Sequence, residues 1–85
     1  MEYQTIIVES YYDLSSGLHG PIHVRPLPGQ DPFLTTMRVE CSHEIINDYN
    51  VGSQFEIRAK ITSREGGTPF IYSHYKWPFK VVKEK

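Results

Sequence analysis

The sequence predicts an all-β fold with one short helix, built as a small antiparallel sheet of five strands that is closed or strongly curved. Three observations predict it. Residues 54–61 alternate strictly between apolar (Phe55, Ile57, Ala59, Ile61) and polar (Gln54, Glu56, Arg58, Lys60), the period of a half-buried strand. Further short runs rich in β-branched and aromatic residues are separated by Gly, Pro, Asp and Ser clusters. Only residues 43–49 carry apolar positions at helical spacing.

Residues 3–12 form the first expected strand. Ile6 and Val8 face inward, while Ile7 and Tyr11 take the other side, so the strand is central or covered. Residues 13–20 read as a loop that carries His19. In the second strand, 21–26, Ile22 and Val24 oppose His23 and Arg25, and a proline at each end confines it to an edge or to the start of a ladder. Pro28-Gly29 fits a type II turn. The third strand spans 33–41, with Met37, Val39 and Cys41 on one face and Arg38 and Glu40 on the other. Ser42 is placed to cap a helix over 43–49 that docks Ile45, Ile46 and Tyr49 on the sheet.

Residues 51–82 then read as one long hairpin with its turn at 63–67, where two glycines permit positive φ. On the return strand, alternation puts Ile71, Tyr75, Trp77, Phe79 and Val81 on the core face. It puts Phe70, Tyr72, His74, Lys76 and Lys80 on the other. Pro78 requires a bulge or an edge and splits this strand into 69–77 and 79–82. The expected core is Ile6, Val8, Val24, Met37, Val39, Ile45, Phe55, Ile57, Ile61, Ile71, Tyr75, Trp77 and Phe79. OB-like and SH3-like barrels are the nearest architectures.

At 85 residues the chain makes one domain, 1–85, too small for a deep enclosed active site. A mean hydropathy of −0.43 is ordinary for a folded globular chain. No apolar run approaches the roughly 20 residues of a membrane span, and the first ten residues lack the pattern of a secretory signal. The lone Cys41 has no intramolecular partner, which fits a reducing compartment. The expected location is therefore the cytosol. Residues 1–53 hold two basic and seven acidic residues, a balance of −5; residues 54–85 hold seven basic and three acidic, a balance of +4. The hairpin is the basic half of an acidic chain, a polarity that can steer an anionic partner or orient a contact between copies.

The stretch VGSQFEIRAKITSREGGTPFIYSHYKWPFKVV, with the earlier HVRPLPGQ, resembles stretches of small uncharacterised bacterial proteins, some of the kind carried on mobile gene cassettes such as integrons. The resemblance covers about half of the chain and includes no catalytic motif. It implies a bacterial, mobile-element origin and brings no activity, cofactor or substrate.

The residues offer little to catalysis. A zinc site needs about four thiolate, imidazole or carboxylate ligands. Here one cysteine accompanies four scattered histidines, and the set that comes nearest is His19, His23 and a carboxylate. A cysteine nucleophile needs a base beside it, and Cys41 shares its strand face with Met37 and Val39. No serine sits in a GxSxG elbow, and SREGG lacks the spacing of a phosphate loop. No catalytic residue, metal or cofactor is expected.

The hairpin face opposite the core carries Arg58, Lys60, Phe70, Tyr72, His74 and Lys76, with Tyr11 or Tyr12, His23 and Arg25 placed to contribute nearby. Aromatics and arginine are enriched at protein interfaces, and a sheet apolar on both faces is often completed by a second copy. The leading expectation is a non-catalytic binding and assembly module, self-associating (most simply as a dimer) and engaging a macromolecular partner through this face. The alternative is a single-stranded nucleic-acid platform, in which rings stack on bases and cations follow phosphates. The plainest reading makes Phe70 and Tyr72 ordinary core.

Overall fold

The computed structural model describes residues 2–13 and 20–85. The expected loop over 13–20 falls, with His19, mainly on residues outside that set. The spine is a pair of nine-residue strands, β1 (Gln4–Tyr12) and β4 (Gln54–Thr62), running antiparallel with Ile6 opposite Ile57 and Val8 opposite Phe55. Facing residues in such a pair share a face, so the alternation in each sequence adds to one apolar surface. β2 (Ile22–Pro26) pairs with the far edge of β1, setting Val24 opposite Ser10 and Pro26 opposite Val8. Beyond the end of β2, the Gln30 side chain takes the place of a strand. It accepts from Ile7 N at 2.7 Å and donates to Ile7 O at 2.8 Å and Leu27 O at 3.0 Å.

The long return strand does not form. Two short strands share the other edge of β4: β5 (Phe70–Tyr72) pairs with residues 60–62, and β6 (Lys80–Lys83) with residues 54–56. If the first ladder continued past the Lys60–Tyr72 pair, Lys76 would stand opposite Glu56. Lys80 stands there instead, so four extra residues are looped out between the two strands. The break is wider than Pro78 alone implied and begins at Ser73. A turn over 74–77 fills it, closed by Trp77 N donating to His74 O at 3.0 Å and Lys76 N to His74 Nδ1 at 3.1 Å.

The expected third strand is also reduced. Only β3 (Val39–Glu40) is extended, and it runs parallel to β5, with Val39 beside Ile71 and Glu40 beside Tyr72. Residues 31–37 are turns instead, held by Phe33 N to Gln30 O at 2.9 Å and Met37 N to Leu34 O at 3.1 Å. The sheet among the described residues is thus six-stranded and mixed, in the order β2-β1-β4-β5-β3 with β6 on β4, rather than five-stranded and antiparallel. It curls until β2 and β3 touch, but no ladder joins them, so the sheet is not closed.

The helix is one turn, α1 (Glu44–Asn47), shorter than the expected 43–49. Ser42 Oγ accepts from Glu44 N at 3.3 Å, a cap-like bond one residue before the position that starts the helix. Two turn expectations hold in part. Gly29 has φ +85°, as a type II turn requires. In the 63–67 turn Gly66 takes positive φ (+81°) together with Glu65 (+42°), whereas Gly67 is needed for space: a Cβ there would lie 3.0 Å from Arg64 O.

The core comprises Ile6, Val8, Val24, Phe55, Ile57, Ala59 and Ile71 from the sheet, sealed by Phe33 from the turns and Ile45 from α1. Full burial of each large aliphatic or aromatic side chain contributes about 1.5–3 kcal/mol. Tyr49, Phe55 and Phe79 meet edge to face, with centroids 5.1–5.9 Å apart. Met37, Val39, Ile61 and Phe79 pack on this core as half-buried residues. Two expected core residues do not belong to it. Tyr75 is 60% exposed, and Trp77 is half-buried outside the cluster. Both lie in the looped-out turn, where strand alternation no longer applies. Among the described residues no helix is long and apolar enough to cross a membrane.

Candidate binding face

β4 supplies the fixed part of the face. Phe55, Ile57 and Ala59 point into the core, so Arg58 and Lys60 must point out. Tyr3, just before β1, has the same outward parity as Thr5 and Ile7. The 74–77 turn folds over this surface. Tyr3 and Trp77 meet edge to face at 4.7 Å, Trp77 lies 5.8 Å from His74, and His74 stacks on Tyr75 at 4.8 Å with only 18° between ring planes. Four rings therefore follow one another across the outer face.

Cations flank each step. Arg58 Cζ stands 5.7 Å from the Trp77 centroid, Lys60 Nζ 5.0 Å from Tyr3, and Lys76 Nζ 5.6 Å from Tyr75. A cation over a ring face gains about 0.5–1 kcal/mol at an exposed site. The ion pairs formed among the described residues are Arg25–Glu9, Arg38–Glu40 and Arg64–Glu40; none uses Arg58, Lys60 or Lys76.

Of the six expected face residues, the structure brings Arg58, Lys60, His74 and Lys76 together. Phe70 is a correction. It is only 5% exposed, because Arg38 and Arg64 close over its ring at 5.1 and 5.0 Å. Both arginines also bind Glu40, at 2.8 Å to Oε2 and 3.0 Å to Oε1, so one carboxylate bridges the two cations. Tyr72, opposite Lys60 in the ladder and so on the same side of the sheet, is half-buried and, with Tyr75, lines a cleft at the unpaired β2–β3 seam. Tyr11, His23 and Arg25 form a separate cluster on β1 and β2: Arg25 stacks on Tyr11 at 4.4 Å and binds Glu9 at 3.1 Å.

Tyr3, Tyr75 and Trp77 are the face residues that the sequence reading missed. For Tyr3 the signal was present, since inward Ile6 and Val8 make residue 3 outward. For Trp77 it was the following proline, which ends ladder pairing.

The seam cleft has a volume of about 740 Å³ and is bordered by Val24, Met37, Val39, Cys41 and Ile46 as well as Tyr72. Burial pushes the Cys41 thiol up to about 12 from its ordinary 9.0, the opposite of what a nucleophile needs. His43 is exposed. Among the described residues no group of three or more His, Cys, Asp or Glu side chains could hold a metal ion, and His19 lies outside them.

No family model, curated protein or solved structure matches the chain.

Proposed function

We propose that the chain is a non-catalytic binding module that engages a macromolecular partner through the face of Tyr3, Arg58, Lys60, His74, Tyr75, Lys76 and Trp77. One observation carries the reading: three cations stand over a continuous run of rings with no carboxylate paired to any of them among the described residues. Around Phe70, by contrast, Glu40 bridges both arginines. An uncompensated and exposed one suits a partner that brings the missing negative charge and covers the rings. The reading includes a cytosolic location, supported by the single cysteine with no partner in the chain.

Two measurements test it together. Light scattering over a concentration series reads self-association, and retention on immobilised heparin reads the capacity of the face for an anionic chain. At least one should be positive in the native protein and lost in Tyr75→Asp and Lys76→Glu, both of which should melt as the native protein does. A monomer whose heparin elution is the same as that of both variants would remove the reading.

A further inference from the structure

We infer that the partner of this face is a single-stranded nucleic acid, held by ring stacking and phosphate neutralisation; the inference rests on the binding-face reading above. The face asks for two chemistries in alternation along one ligand. Flat rings must meet Tyr75, His74 and Trp77, and anions must reach Arg58, Lys60 and Lys76. A nucleotide strand repeats that pair at every unit. A second copy of the chain would instead have to bury three cations beneath its own surface, at a desolvation cost unless each met a carboxylate. Tyr75 is the entry point. It is 60% exposed, His74 backs one side of it in near-parallel stacking, and the Lys76 ammonium over the ring sits on a flexible stem that can swing to a phosphate.

Charge supports the same assignment. Every face residue except Tyr3 comes from residues 54–85, the segment with a balance of +4. The excess of cations around the rings draws a polyanion to them, and the attraction weakens with salt. A duplex is excluded from the stacking part, because its bases are already stacked inside it. Neither ring stacking nor phosphate contact reads a 2′-hydroxyl, so DNA and RNA strands should bind alike.

The test uses the full chain and Trp77 fluorescence, with oligothymidylate and oligouridylate of about twelve nucleotides as probes. Both should quench Trp77. With three cations engaged, the logarithm of the affinity should fall with log salt at a slope of about −2, roughly a twentyfold loss between 50 and 200 mM. Lys60→Gln should flatten that slope by about 0.7. Tyr75→Ala should weaken binding about tenfold, while Tyr12→Ala, exposed but off the face, should leave it unchanged. Failure of both strands to bind at low salt would overturn the inference, as would equal binding of a blunt duplex. If oligonucleotides fail but light scattering finds a dimer that Tyr75→Asp dissolves, the face stands and its partner is a second copy. If both fail, the face falls too.

Discussion

Two clusters in this molecule are built from the same parts and end in opposite states. Around Phe70, two arginines close on one ring, Glu40 binds both guanidinium groups, and the ring is buried. Around Tyr75 and Trp77, three cations flank a run of rings, none of the three has a carboxylate partner among the described residues, and Tyr75 stays largely in solvent. Aromatic and basic residues together do not mark a working surface. What differs is the carboxylate: Glu40 bridges the two cations over Phe70, and the cations over the outer rings have no such partner among the described residues.

Four measurements would break or sharpen this contrast. The largest effect concerns Cys41, which follows Glu40 in the chain but packs against the core at the border of the seam cleft. With its thiol pushed up to about 12 from 9.0, it holds far less thiolate at pH 8. After the higher intrinsic nucleophilicity of a more basic thiolate is allowed for, alkylation of the native protein should be roughly tens of times slower than that of the unfolded chain. The same shift has a sign in stability. The folded state keeps the thiol neutral while the unfolded chain ionises from about 9, so this contribution is full below pH 9 and is lost as pH rises towards 12. Native labelling at the unfolded rate would show that Cys41 is not packed against the core.

Next is Phe70→Ala, which removes the ring beneath both arginines and should cost about 3 kcal/mol in urea unfolding. Glu40→Gln should cost about 1 kcal/mol, because it leaves two guanidinium groups sharing one ring without an anion. The native protein's advantage over this variant should shrink in high salt. The smallest effect is expected of Tyr75→Ala, a change within about 0.5 kcal/mol. Should Tyr75→Ala destabilise as much as Phe70→Ala, the two clusters would be alike and the face would be structural.

The sequence made the spine legible because β1 and β4 are long enough for their alternation to be unambiguous, and every inward position from Ile6 to Ser10 and from Phe55 to Ala59 is buried. Alternation failed where the backbone stopped being a strand. Alternation carried through residues 74–77 points Tyr75 and Trp77 inward, but these residues form a turn. β3 was drawn too long because Phe33 and Leu34 look like strand residues. Phe33 instead enters the core from a turn at 2% exposure, and nothing local in Val39–Glu40 announces a parallel partner thirty residues away. Four of the six expected face residues lie together, Arg58 and Lys60 because they are on β4, His74 and Lys76 because the turn brings them there. Phe70 was misplaced because its lid comes from Arg38 and Arg64, contacts that no periodicity encodes.

The length of the looped-out turn carries a consequence for engineering. Because the offset between β5 and β6 is an even number of residues, Val81 still faces inward opposite Phe55. Shortening or lengthening the turn by two residues would therefore preserve which side chains β6 buries, while a change of one would invert them. The segment that bears Tyr75 and Trp77 is in this respect a graft site: its contents and its even-numbered length can be exchanged without rewriting the scaffold that displays it.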